Sequence, residues 1–218
     1  MTATAPPIAL LRLAARLRLD PVHDLHPSWL PPAWPARHRQ PRRLGPAGQA
    51  ALGDWLRERT PDVGLDFGST RRRIVLMDAG SLRRAAFYCG LAAHAPFLRG
   101  HGALSAQLRR QARRIDRDAA ALVLERLPRL AAFRLDTSRL EQRPIAAGRT
   151  VFDRGYRLLQ GAVAAEGDAW LQRLQRKLPR RVALLRLPTL DSRQCAQLDE
   201  LLTMGIVPER LAQWDWLF

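Results

Sequence analysis

With 218 residues, 47% of them hydrophobic, the chain is long enough to bury a core and fits one domain, or a domain with a small appendage. Its 36 basic residues against 20 acidic ones give a formal charge of +16 and a pI near 11.6, which favours association with nucleic acid, anionic membrane or acidic protein. No run of 18 apolar residues is present, which excludes a membrane-spanning helix, and Cys89 and Cys195, the only cysteines, read as buried free thiols of a cytoplasmic protein. Only Lys177 among the basic residues is lysine. Such a skew is the mark of a GC-rich genome, so the arginines are not read as a design for guanidinium chemistry.

In chain order, residues 1–7 hold two prolines and no pattern and are expected to form a loose tail. Ile8–Leu19 places Leu10, Leu13 and Leu17 on one helical face, with Arg12, Arg16 and Arg18 off it. A short amphipathic helix ending before Asp20-Pro21 is predicted, with packing on a core as its role and a membrane-surface helix as the alternative. Residues 20–46 contain seven prolines interleaved with Trp29 and Trp34, so they form an irregular segment pinned to the fold by its indoles. Residues 37–43 read as an exposed connection.

A helix is predicted over 46–57 with Leu52, Trp55 and Leu56 inward, then a turn-rich stretch over 60–70. The apolar run 74–77 fits a strand or a helix start. Ser81 is the expected N-cap of a helix bearing Leu82, Ala85, Ala86, Cys89 and Ala93, which ends near His94 before Pro96. The next helix places Leu104, Leu108, Ala112 and Ile115 on one face, with Arg109, Arg110, Arg113, Arg114 and Arg117 covering the other sides. Asp116 is the expected cap of a further helix over 117–127. Residues 81–127 thereby read as the centre of the scaffold.

Residues 130–148 lose period and read as a connector. Thr150 and Asp153 suggest a capping box for a helix bearing Phe152, Tyr156, Leu159 and Val163. Glu166-Gly167-Asp168 is a break with Asp168 as cap, and Trp170, Leu171, Leu174 and Leu178 continue to Pro179. Residues 182–187 are ambiguous between helix and strand. Asp191 or Ser192 caps a helix through Cys195, Leu198, Leu201 and Leu202 that is expected to end at Gly205, followed by a last helical turn or two over 208–216. Mainly α is the expected class: a single compact multi-helix domain with a Pro-rich irregular N-terminal segment.

Reaction chemistry has no positive support. The histidines and cysteines lack metal-ligand spacing, so no metal or cofactor site is expected. Asp66-Phe67-Gly68 matches a kinase magnesium motif over three residues only, and the surrounding Gly64–Thr70 string resembles the first phosphate loop of actin-like ATPases without the hydrophobic strand that would aim it. Direct DNA readout wants more Asn or Gln beside the arginines than Gln107 and Gln111 supply. Single-strand binding wants interleaved aromatics, and there are none between Phe97 and Phe133.

Three stretches carry a resemblance. Leu17-Arg18-Leu19-Asp20-Pro21 followed by Leu25-His26-Pro27-Ser28-Trp29-Leu30-Pro31 is the most distinctive string; the helical stretch 82–127 with Cys89-Gly90-Leu91 and Leu122-Val123-Leu124 is the second; residues 148–179 with Tyr156, Trp170 and Leu171 are the third. Together they resemble the YscK/SctK family of type III secretion, accessory proteins of the cytoplasmic sorting platform. The resemblance implies a non-enzymatic, mainly helical adaptor that joins the cytoplasmic domain of an inner-membrane ring protein to the pod protein of the platform, at the cytoplasmic face of the inner membrane. The chain departs from the family in its arginine content and in its extra Pro-rich connection over 31–46. The partner-binding surface is expected at Arg109, Arg110, Arg113, Arg114 and Arg117, with Trp214 and Trp216 as candidate aromatic anchors that core packing also explains. The rival reading is a basic helical nucleic-acid-binding or regulatory protein.

Overall fold

The computed structural model describes residues 8–34, 40–133 and 138–218. The expected tail over 1–7 and residues 37–39 of the expected exposed connection lie outside them. Thirteen α-helices follow in order among the described residues, with no strand: α1 (Ile8–Leu19), α2 (Pro46–Arg59), α3 (Thr70–Ile74), α4 (Ala79–Ala93), α5 (Ala95–Arg99), α6 (Ala103–Ile115), α7 (Ala119–Glu125), α8 (Ser138–Gln142), α9 (Ala147–Ala164), α10 (Asp168–Lys177), α11 (Arg180–Ala183), α12 (Ser192–Glu200) and α13 (Val207–Arg210). Short 3-10 turns at Pro27–Trp29, Pro41–Arg43, Pro144–Ala146 and Ala212–Leu217 join or end them. The protein is mainly α, as its sequence predicts.

The frame is a pair of helices, α4 and α9, packed along most of their lengths. Both are buried on nearly every side, so the remaining helices can surround them: α6, α10, α3, α11 and α12 lie on α9, and α7 on α4. The pair crosses where two glycines meet. A Cβ on Gly90 would stand 1.9 Å from the Val151 carbonyl oxygen, and one on Gly155 would stand 1.6 Å from that of Ala86. Only backbones without side chains approach so closely, so the scaffold's centre is the Gly90–Gly155 crossing rather than the 81–127 stretch alone.

The N-terminal segment builds a satellite core from Val22, Leu25, Leu30, Leu52 and Leu56. Trp29 packs on this cluster and on the main core at once, and it joins them into a single multi-helix domain. The irregular path of this segment follows from its prolines, and its place follows from one clasp. The Trp29 indole N–H donates to the carbonyls of Gln175 (3.1 Å) and Leu178 (2.9 Å) at the end of α10, the first of which also accepts the Leu178 N–H (3.0 Å). The guanidiniums of Arg176 and Arg180 lie 5.2 and 5.8 Å from its ring centroid. His26 donates its backbone N–H to the Arg176 carbonyl (2.9 Å), and the Ser28 hydroxyl accepts from the Arg180 N–H (2.7 Å). Trp29→Phe keeps most of the buried area and loses both indole bonds. It is expected to lower unfolding stability by about 1 kcal/mol, read as a lower urea midpoint.

Several boundaries differ from the sequence reading, each for a local reason. Helix α4 starts at Ala79, not after Ser81, because Asp78 caps it: its carboxylate accepts the Ser81 N–H (2.8 Å) and the Ser81 hydroxyl (2.9 Å). Asp116 does not cap α7. It closes α6, and its carboxylate takes the Tyr88 hydroxyl and the Arg210 guanidinium (2.9 Å); Asp118 stands at the α7 cap position. Burial and the bond to Asp116 hold the Tyr88 hydroxyl up at about 12. Thr150 forms no capping box, since α9 begins a turn earlier at Ala147 and Asp153 faces Arg181 instead (2.9 and 3.0 Å). Gly167, with φ +115°, takes the α10 cap position, and Asp168 is the first helical residue.

Residues 74–77 are neither strand nor helix start. Ile74 ends α3 and residues 75–77 turn on into the core, all four buried. Residues 182–187 hold the last two residues of the one-turn α11 and then irregular chain. Gly205 does not end its helix either. Leu201–Ile206 widens to a π-helical turn and continues into α13, with Gly205 where a Cβ would come within 2.9 Å of the Leu127 and Pro128 side chains. Asp191 does cap α12, in a capping box with Gln194.

Cys89 and Cys195 are both buried free thiols. Burial pushes the Cys89 thiol up to about 12, which makes it unreactive. His94, which ends α4, is wholly buried: its Nδ1–H donates to the Gly90 carbonyl (2.6 Å) and its Nε2 accepts from the Arg154 guanidinium (2.7 Å). Burial lowers its pKa to about 4, and the adjacent guanidinium adds to this against the bond to Gly90. The unfolded chain binds the proton near the ordinary value of 6.5 and the folded chain only near 4. The neutral ring's stabilisation is therefore complete above pH 6.5 and lost as pH falls through 4, a loss of about 3 kcal/mol. Urea titrations across this range should show the drop, and His94→Gln should flatten it.

Candidate interaction surfaces

Helix α6 presents the arginine face. Leu104, Leu108 and Ala112 point inward and are buried, while Ile115, on the same face by angle, is half exposed because the helix ends beyond its packing partners. Arg110, Arg113, Arg114 and Arg117 are exposed, and none forms an ion pair with a described residue. Arg109 is different. It is half-buried and donates to the carbonyls of Leu98 (2.8 Å) and Gly100 (3.2 Å), so it closes the end of α5 rather than facing a partner. A shallow depression of about 460 Å³ lies between Ala106 and the side chains of Arg109, Arg110, Arg113 and Arg114. The pairs Arg109–Arg113 and Arg110–Arg114 stand four apart, a like-charge spacing that costs an isolated helix roughly 0.2–0.5 kcal/mol per pair.

The two C-terminal tryptophans separate. Trp214 is buried, and its indole N–H donates to the Ser81 hydroxyl (2.8 Å), which fastens the last turn to the start of α4. That makes it a core residue. Trp216 is 47% exposed, with its indole N–H on the Gln213 carbonyl (3.0 Å), and it keeps its standing as a surface aromatic. His26, Pro27, Ser28 and Trp29, which carry the family resemblance, form the clasp described above. Burial lowers the His26 pKa, and its Nδ1 meets the Ser28 hydroxyl at 2.8 Å, so the motif's polar atoms are engaged in contacts within the chain although Ser28 is exposed.

The Asp66-Phe67-Gly68 loop is likewise tied into the body. The Gly68 N–H donates to Asp66 Oδ1 (3.0 Å), Phe67 is buried against Trp170 edge to face, and the Asp66 carboxylate pairs with Arg72. Arg72 also reaches Glu166 (2.8 Å), and Arg71 holds Asp199 through two nitrogens (3.1 and 2.8 Å). No strand precedes this loop, so it lacks the geometry that aims a phosphate loop. Among the described residues no group of three His, Cys, Asp or Glu side chains is placed to hold a metal ion, and no helix is long and apolar enough to cross a membrane.

Two open grooves complete the surface. One, about 740 Å³, runs between Phe133, Leu140, Leu158 and Leu190 with Arg143 and Arg157 on its edge. The other, about 730 Å³, lies between Trp34 and Trp55 over Leu44 and Leu52. The first groove was not legible in the sequence, because it joins residues from 133 to 194; the second is local, lined by residues 31–55, and the Pro–Trp alternation was its one signal.

Sought among known proteins, the chain matches no protein-family model, no curated protein and no solved structure.

Proposed function

We propose that the chain is a non-enzymatic cytoplasmic adaptor of a bacterial type III secretion apparatus, similar to the YscK/SctK proteins. In this reading it joins the cytoplasmic domain of the inner-membrane ring protein to the pod protein of the sorting platform, at the cytoplasmic face of the inner membrane, and so supports effector export. The observation that supports it most is the Leu17–Pro31 string. It carries the likeness, and its Trp29 clasp docks the Pro-rich segment onto an all-helical body. Arg110, Arg113, Arg114 and Arg117, without acidic partners among the described residues, give such an adaptor a basic docking face, with Trp216 as an exposed aromatic.

The test is capture of the ring protein's cytoplasmic domain and the pod protein by the purified chain after nuclease treatment. Binding of both is expected, and Arg110→Glu/Arg113→Glu/Arg114→Glu should weaken at least one of them about tenfold or more. A chain that captures neither protein but retards DNA at physiological salt, with log affinity falling linearly in log salt, belongs to the nucleic-acid reading instead.

A further inference from the structure

Helix α1 carries two apolar stripes. Leu10, Leu13, Ala14 and Leu17 lie against the main core. Ile8, Leu11, Ala15 and Leu19, at spacings of three, four and four, point away from it: Ile8 is 70% exposed, Leu11 44% and Leu19 71%. At about 100° per residue the outer stripe covers roughly 80° of the helix surface. Arg12 and Arg16 border it on one side and Arg18 on the other, all exposed, and the helix contains no acid. Arg18 shares a surface ion pair with Asp62 (2.7 Å), and Arg16 reaches the His23 ring.

The orientation of this ridge is fixed. The buried Arg173 donates to the Leu17 carbonyl (3.2 Å), Arg57 donates to that of Leu19 (3.3 Å), and the Asp20 N–H donates to that of Arg16 (2.9 Å). With its last carbonyls held and its inner stripe packed, α1 cannot roll its outer leucines into the core.

We propose that this ridge docks on an anionic phospholipid bilayer, with α1 lying in the interfacial plane. An aliphatic crest between two guanidinium borders repeats the layering a bilayer offers, from acyl boundary to phosphate. Arginine suits that border, since its planar fork binds phosphate through two nitrogens. The crest is convex, so it fits a yielding flat surface, whereas a protein partner would have to supply a groove with carboxylates on both rims. The charge of +16 draws the whole chain toward the same surface. The α6 arginines have no such apolar centre. The proposal stands apart from the adaptor reading, because vesicle binding requires no secretion component and either can fail alone.

The experiment is flotation with vesicles of phosphatidylcholine alone and of phosphatidylcholine with roughly a third phosphatidylglycerol, at about 0.15 M salt, with amide exchange followed over residues 8–19. The native chain should float with the anionic vesicles only, and exchange in α1 should slow when it does. Ile8→Ser/Leu11→Ser/Leu19→Ser, with unchanged charge, should lose binding about tenfold or more, while Arg99→Gln/Arg129→Gln/Arg193→Gln, which removes three exposed charges elsewhere, should keep most of it. The proposal is overturned if the serine variant floats like the native chain, if the native chain binds neither vesicle, or if α1 is protected only by an acidic protein. Should the serine variant lose its helical circular dichroism, the exchange of the native chain decides alone.

Discussion

Gly155→Ala should destabilise the protein by about 3 kcal/mol or more, far beyond what one methyl group ordinarily does. Two effects oppose each other at this position. Alanine is the better helix former, by about 1 kcal/mol at an interior site. Its Cβ, however, would sit 1.6 Å from the Ala86 carbonyl oxygen, 2.5 Å from that carbonyl's carbon and 2.9 Å from the Gly90 nitrogen. These atoms are helical backbone and cannot turn aside as a side chain tip would. The helices must separate, and separation loosens the interface that every surrounding helix packs on. Gly90→Ala meets the Val151 carbonyl in the same way. Gly64→Ala, where no atom lies within 4 Å, should change stability by no more than about 0.5 kcal/mol. Urea unfolding of the three variants tests the crossing, and a Gly155→Ala protein as stable as the native one would refute it.

Asp24→Asn should cost a similar amount through electrostatics. Lys177 is 97% out of solvent, and its Nζ donates to Asp24 Oδ2 (2.8 Å) and the Met77 carbonyl (3.0 Å). Burial lowers the lysine's pKa, while Asp24 acts to keep it charged. Burial alone would raise the Asp24 carboxyl, but Lys177 and His23 together bring it below its ordinary value. Removing the carboxylate's charge leaves an ammonium in the interior with only neutral acceptors, a defect worth about 3 kcal/mol. Lys177→Met in the same background should restore most of the loss, because neither charge is then buried. The deficit of Asp24→Asn should also shrink as pH rises, since the unfolded chain then holds more of the protons the folded amine resists. Equal stability of the single and double variants would show that the pair is not coupled.

Sequence patterning exposed what depends on neighbours along the chain. The limits of α1, the Asp191 cap, the irregular Pro-rich segment and the inward leucines of α6 all follow from spacing, capping chemistry and proline geometry. One boundary shifted because a better local acceptor stood nearby, Asp78 three residues before Ser81; the other shifted because the Asp116 carboxylate is taken by Tyr88 and Arg210. What stayed hidden depends on contacts across the chain. Gly90 and Gly155 sit 65 positions apart in runs that read as helical, and an interior glycine in a helix was the only hint that two backbones meet there. Arg109 looks like its neighbours in the sequence, yet only the fold brings the open carbonyls of α5 to it. The outer stripe of α1, Ile8, Leu11, Ala15 and Leu19, has the same helical spacing as Leu10, Leu13 and Leu17, and spacing alone does not say which of the two packs.

Lys177 is the chain's only lysine, and it lies within the reach of the Trp29 clasp. A protease that cuts only after lysine therefore has a single target bond, Lys177–Leu178, and both flanking residues are buried. Its cleavage rate reports how often the N-terminal segment lets go of α10, with no label and no substitution. The same clock should run faster in Trp29→Phe and slower in any complex that holds the segment down.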